Sequence, residues 1–290
     1  MMKFNKTHIL LCALSILLFL PSISFSVCKE AEDSLFLAEN EPNFETKIEH
    51  YTAALSKCPD NMEILTTLTD TYIDYEYYDA AYGVIYRILS LNKFNAEGYY
   101  KLAYIYMMWE EYDQAQDAAE KALSINSYYV DNFLLLGDLK YYTRDYKEAM
   151  KYYKKALEID PNNSDAYIKI AGLFFLFEKY DKVVAYLDKS LSIEKTTEIE
   201  MLKKLMTKSI KNDYEGVKEV SEQILEKDPK NLMALEVLSM AMLEHENEKS
   251  NCLEVLTKVY YLEKQPFMKN KVEKEIERIV SSIAALNPPK

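Results

Sequence analysis

Aromatic residues recur in this chain at an interval of 34 positions: Phe44, Tyr78, Tyr112, Tyr146, Tyr180 and Tyr214. A fixed period of that length signals stacked repeats, each too small to bury its apolar face alone. With the aromatic at position 17, repeats start at Cys28, Met62, Ala96, Val130, Ser164, Glu198 and Leu232. Small or branched residues keep the same phase. Position 20 holds Ala81, Ala115, Ala149, Val183 and Val217, and position 27 holds Ala54, Ile88, Ala122, Ala156, Ser190 and Ile224. Leu68, Leu102, Leu136, Ile170 and Leu238 share position 7, and Ala103, Gly137, Ala171 and Ser239 share position 8. Pro59, Pro161 and Pro229 at position 32 each open a polar turn that ends in asparagine. Proline stops one helix, and asparagine caps the next.

These columns resemble the tetratricopeptide repeat. The segment Val130 to Asn163 shows it best, with Phe133, Leu136, Gly137, Ala149, Tyr153, Ala156 and Pro161 in the family's positions. Lys140 takes the usual tyrosine slot, with Tyr141 beside it. The resemblance covers residues 28–265 and implies an all-α fold. That fold is a right-handed α-solenoid of about seven helix-turn-helix repeats, each an antiparallel pair A and B. The last repeat departs from the pattern. Glu248 replaces the aromatic, and Cys252, Leu256, Val259 and Leu262 resume the apolar column one residue late, as a one-residue insertion around His245–Lys249 would produce. Residues 267–285 read as an amphipathic capping helix, with Val272, Ile276, Ile279, Val280 and Ile283 on one side.

In this family the concave face is built mostly from helix A, through positions 2, 5, 6, 9, 12 and 13. Carried onto this chain, the resemblance implies a partner-binding groove of Tyr100, Lys101, Tyr104, Met107, Met108, Asp131, Leu134, Leu135, Asp138, Tyr141, Tyr142, Ile168, Lys169 and Phe175. Glu63, Asp70 and Asp74 make the preceding helix acidic. The carboxylate clamp of some family members is not supported, because its positions hold Glu32, Asp70, Thr67 and Glu97. A tyrosine- and methionine-rich floor edged by carboxylates suits a protein or peptide with apolar anchors and basic flanks. The plain alternative is that these aromatics only pack between neighbouring helices.

Residues 1–26 read as a signal peptide rather than as part of the fold. Lys3 and Lys6 precede the apolar run Ile9–Leu20, Pro21 ends it, and Ser24 and Ser26 stand at the −3 and −1 positions of a cut before Val27. An uncleaved anchor and lipidation of Cys28 are the alternatives. Export to a periplasm, cell envelope or the medium is the expectation. Oxidising compartments permit disulfides. Cys28 and Cys58, at positions 1 and 31, fall where the start of helix A meets the end of helix B, so they are a candidate disulfide whose alternative is two unpaired thiols. Cys252, in the position-20 column, reads as a buried and inert thiol.

Composition narrows the chemistry. The chain has five glycines, too far apart to write either glycine-rich phosphate loop. Turn-rich β-architectures need more residues that accept positive φ. The net charge is −12, and removing residues 1–26, with two lysines and no acid, would make it more negative. No affinity for nucleic acid is expected, nor for a membrane apart from the N-terminal segment. His50 and His245 are far apart in sequence, and no metal motif or nucleophile constellation is present. Asp70 and Asp74 form an i, i+4 carboxylate pair, which on a polar helix face is the ordinary pattern of solvated surface. The expectation is a non-catalytic scaffold without cofactor or metal, holding a protein or peptide in its groove. A chaperone for exported clients is the nearest alternative, and an enzyme with an acidic groove site the remote one.

Overall fold

A computed structural model describes residues 31–244, 248–263 and 266–286, and among these it contains fifteen helices and no strand. The signal peptide, Cys28 and the insertion around His245 lie outside the described residues. The chain divides into two compact units, one ending at Asn132 and one beginning at Phe133.

The first unit contains α1 (31–40), α2 (Phe44–Lys57), α3 (Met62–Asp74), α4 (Tyr78–Leu91), α5 (Ala96–Met108) and α6 (Tyr112–Ile125), and it ends within α7 (Val130–Tyr142). The second continues with α8 (Tyr146–Ile159), α9 (Ser164–Leu176), α10 (Tyr180–Ile193), α11 (Thr197–Ile210), α12 (Tyr214–Lys227), α13 (Leu232–Leu243), α14 (Lys249–Leu262) and α15 (Pro266–Leu286). The position-17 aromatics are the first residues of α2, α4, α6, α8, α10 and α12. Among the described residues no helix is long and apolar enough to cross a membrane.

Local chemistry sets these boundaries. The side chains of Asn61, Asn95, Asn163 and Asn231 accept hydrogen bonds from the backbone N–H groups of Ile64, Gly98, Ala166 and Ala234, and so satisfy orphan donors of four A helices. Asp145 and Asp213 do the same for α8 and α12. The links into α5, α7, α9 and α13 are also pinned. Asn92, Asn126, Asp160 and Asp228 each accept, through the side chain, from the N–H two residues on.

Five A-to-B turns share one geometry. Glu76, Glu110, Arg144, Glu178 and Asn212, again 34 residues apart, are all left-handed, with φ between 52° and 66°. Around Glu76, the Tyr77 N–H bonds to the Tyr72 carbonyl at 2.8 Å and the Glu76 N–H to the Ile73 carbonyl at 3.0 Å. The pattern repeats at the other four turns, for example from Asp145 to Lys140 and from Arg144 to Tyr141. This double bond closes a helix through a left-handed residue, a place that usually takes glycine. The sequence places proline, asparagine and aspartate in the turns; the structure adds five left-handed positions, four filled by glutamate or arginine and one by asparagine.

Each unit is cored by its small columns. In the first, Ala54, Ala81, Ala103, Ala115 and Ala122 have no solvent exposure, and Tyr51, Ile64, Leu65, Ile85 and Ile88 pack around them. The hydroxyl of buried Thr71 lies 3.2 Å from that of Tyr51, giving the phenol a partner. In the second unit, Ala149, Ala156, Ala166, Ala171 and Val183 serve the same purpose beside Leu187, Leu205, Val220 and Val237. Val272 and Ile279 of α15 bury themselves against Leu235, Leu238, Met242, Leu256 and Val259. That contact closes the apolar end of the stack.

Candidate functional site

In the first unit the candidate surface lies on α3 and α5. Tyr100, Tyr104 and Met108, four residues apart, form a half-buried stripe along one side of α5. Tyr104 hydrogen-bonds to Tyr78. Tyr100 packs on Tyr129, ring centroids 5.1 Å apart. The neighbouring Lys101 is buried rather than presented to solvent, its ammonium held 2.5 Å from Asp70 Oδ1 and 2.8 Å from Glu97 Oε1. Met107 is buried as well, while Asp131 is exposed. Asp70 is thus one arm of an ion-pair network, and Asp74 is exposed on the next turn of α3. Trp109 sits at the far end of α5 in a ring cluster with Tyr82 and Tyr106. Burial and hydrogen bonds to Tyr82 and Tyr86 raise the Tyr106 phenol well above its ordinary value.

In the second unit Lys169 Nζ sits 2.8 Å from Asp138 Oδ2, repeating the Lys101–Asp70 pair two periods later. The other oxygen of Asp138 accepts a 2.7 Å hydrogen bond from Tyr153 Oη. Burial drives the Tyr153 phenol far above the usual tyrosine range, and the Asp138 charge adds to that effect. Leu134, Leu135 and Phe175 are buried within this unit. Tyr141, Tyr142 and Ile168 remain half-buried. Burial also raises the Tyr141 phenol, helped by the carboxylates of Glu263 and Glu236.

Those two glutamates come from α13 and from the residue after α14, and sequence reasoning did not single them out. Glu236 occupies position 5 of its repeat, a groove position, which was the available signal. Nearby lies a cavity of about 260 Å³, lined by Phe175, Leu176, Tyr180, Glu236, Met240 and Lys271 among others. Burial pushes the Glu236 carboxyl up to about 7, with the Glu263 charge a further cause. It pushes Tyr180 up to about 12. The Tyr180 hydroxyl points to Met240 Sδ at 3.6 Å.

The cysteines divide by environment. Cys58 is disulfide-bonded, and its candidate partner Cys28 lies outside the described residues. Cys252 has no exposure, donates to the Ser239 carbonyl at 3.5 Å, and has its thiol pushed up to about 11 by burial. A thiol so placed is a poor nucleophile. Among the described residues no group of three His, Cys, Asp or Glu side chains is placed to hold a metal ion.

Paired helices in constant phase, with small residues where they touch, define an all-α helical-repeat protein. Residues 96–129 and 133–163 each match the tetratricopeptide repeat family. Solved structures share the fold at low identity. A tetratricopeptide repeat protein from Parabacteroides merdae ATCC 43184 is 17% identical over 88% of this chain and 99% of that one, with a TM-score of 0.61. Pseudomonas aeruginosa pilF is 16% identical over 73% and 97%, with a TM-score of 0.56. PilW, described as a type IV pilus biogenesis factor, is 17% identical over 72% and 98%, with a TM-score of 0.57. No curated protein matches the chain. The chain is a tetratricopeptide-repeat protein.

Proposed function

We propose that this protein is an exported, non-catalytic scaffold that holds a protein or peptide segment on the A-helix face of its repeats. The observation that carries this reading is the stripe Tyr100, Tyr104 and Met108, which keeps accessible aromatic and thioether surface beside the exposed carboxylates Glu63, Asp74 and Asp131. Aromatic rings supply contact area with a polar tip, and methionine adapts to varied shapes. The acidic rim favours a segment with apolar anchors and basic flanks. Export is supported by the apolar run Ile9–Leu20 and by a disulfide at Cys58, a bond that persists in oxidising compartments.

Cross-linking in intact cells, followed by mass spectrometry of what is captured, tests the scaffold. One stoichiometric partner lost on Tyr104→Ala, in a variant that keeps its helical circular dichroism, supports it. Capture unchanged by that substitution sinks the groove. Cell fractionation and the intact mass of the mature chain test export.

A further inference from the structure

We propose that the cavity between α9, α10, α13 and α15 is a side-chain pocket that receives the alkylammonium group of a partner lysine, with Glu236 as its counter-ion. This deepens the scaffold reading and rests on it.

The pocket lies wholly within the second unit. Its walls are the apolar faces of Phe175, Leu176, Met240, Leu243 and Val272. At about 260 Å³ it falls below the roughly 300–1,000 Å³ of pockets that take drug-sized ligands, and it suits one side chain. Such walls favour an aliphatic stem over a polar or branched group. The one ionisable group set among them and left uncompensated is Glu236. Among the described residues no hydrogen bond or ion pair reaches its carboxylate, although the side chain is half-buried.

The other charges at the mouth are accounted for. Lys271 Nζ lies 3.3 Å from Glu178 Oε1, and Glu275 is paired with Arg278 at 3.2 Å. Lys271 acts on Glu236 only through its field. A buried carboxylate without a partner is unfavourable, and a cation delivered on an apolar stem relieves it. The two features together, apolar walls and a lone carboxylate, select an amine over an alcohol and over an acid. Burial raises the carboxyl toward neutrality in the empty pocket, so an incoming cation also releases a proton from it.

The test uses n-butylamine, the lysine side chain itself, added to the full-length protein carrying ¹³C-methyl methionine. The Met240 methyl signal, assigned with Met240→Leu, reports occupancy. At a pH above 7, where Glu236 is ionised, butylamine is expected to shift that signal saturably. The affinity should fall by about tenfold or more when butan-1-ol replaces the amine, or when Glu236→Gln replaces the carboxylate. Glu236→Gln keeps the size of the side chain, and its circular dichroism confirms the fold. No saturable shift, or equal shifts from amine and alcohol, overturns the pocket. So does undiminished amine binding by Glu236→Gln. Failure here with partner capture still sensitive to Tyr104→Ala removes only the pocket. Amine binding with capture insensitive to Tyr104→Ala removes the groove reading and keeps the pocket.

Discussion

The Tyr153 ring occupies the space that a side chain at Gly137 would need. A Cβ built on Gly137 would come within 2.2 Å of Tyr153 Cε1. From that seat the Tyr153 hydroxyl reaches Asp138 at 2.7 Å. The absence of one methyl group thus positions a phenol on a carboxylate. Gly137→Ala should cost about 1–3 kcal/mol through overpacking against a stiff ring. Tyr153→Phe keeps the ring and loses a hydrogen bond to a charged acceptor, at about 1.5–3 kcal/mol. Urea unfolding of both variants checks the ranking. A Gly137→Ala protein as stable as the parent would show that the ring can move aside.

The left-handed turns hold stability in reserve. A residue with a Cβ in this conformation is roughly 1–2 kcal/mol less comfortable than in a right-handed one, and asparagine tolerates it better. Glu110→Gly relieves φ 62° and should stabilise by about 0.5–1 kcal/mol once the looser unfolded chain is counted. Asn212→Gly should gain less. Melting temperatures compared among the parent and the two variants decide it, and equal shifts would count against the conformational explanation.

Burial of Lys101 makes the loss of a partner carboxylate costly. Asp70→Asn leaves the ammonium, 8% exposed, with Glu97 alone. We expect a loss of about 1–2 kcal/mol, below the 3–5 kcal/mol of a fully buried pair because Asp70 is half exposed. Lys101→Met removes the charge and fills the space, and should be nearly neutral. A double-mutant cycle in guanidinium measures the difference.

Glu236 makes stability depend on pH in a definite direction. Its carboxyl moves from 4.5 to about 7 on folding, so the folded state prefers the protonated form. The sign follows: the penalty is absent below the unfolded value, grows as pH rises between the two values, and is complete above about 7. It amounts to at most about 3 kcal/mol. Glu236→Gln should match the parent in acid and exceed its stability above neutrality. Parallel stability–pH profiles for the two proteins would contradict the assignment.

Cys58 offers a redox test. Removing a native disulfide commonly costs about 2–5 kcal/mol. Reduction should lower the melting temperature of the parent protein and leave Cys58→Ser unaffected. A parent protein indifferent to reductant would mean that the bond does not strain the unfolded chain enough to matter.

The helices were legible because their boundaries depend on local residues. Asn61, Asn95, Asn163 and Asn231 cap where they stand, and the aromatic column opens six B helices. The strained turns were not legible, because Glu76, Glu110, Arg144 and Glu178 look like any solvated charge until φ is known. The groove was legible only in outline. Helical spacing places Lys101, Met107, Leu134, Leu135 and Phe175 on the A helices, but whether a neighbouring helix covers them depends on how closely the pairs approach. Glu236 and Lys271 were missed for a related reason. Sequence distance gives no hint that α15 brings Lys271 to Glu178.

That last contact spans 93 residues, and the Tyr180–Met240 contact spans 60. A stack that touches only its neighbours melts from its ends like a zipper. The second unit is instead laced across its repeats by Tyr180, Glu178 and the final helix. Its ends have no independent route to fray, so it should come apart as one block. Amide exchange in α9 and α15 would then share a single opening free energy, and a truncation at the tail would be felt at the heart of the unit.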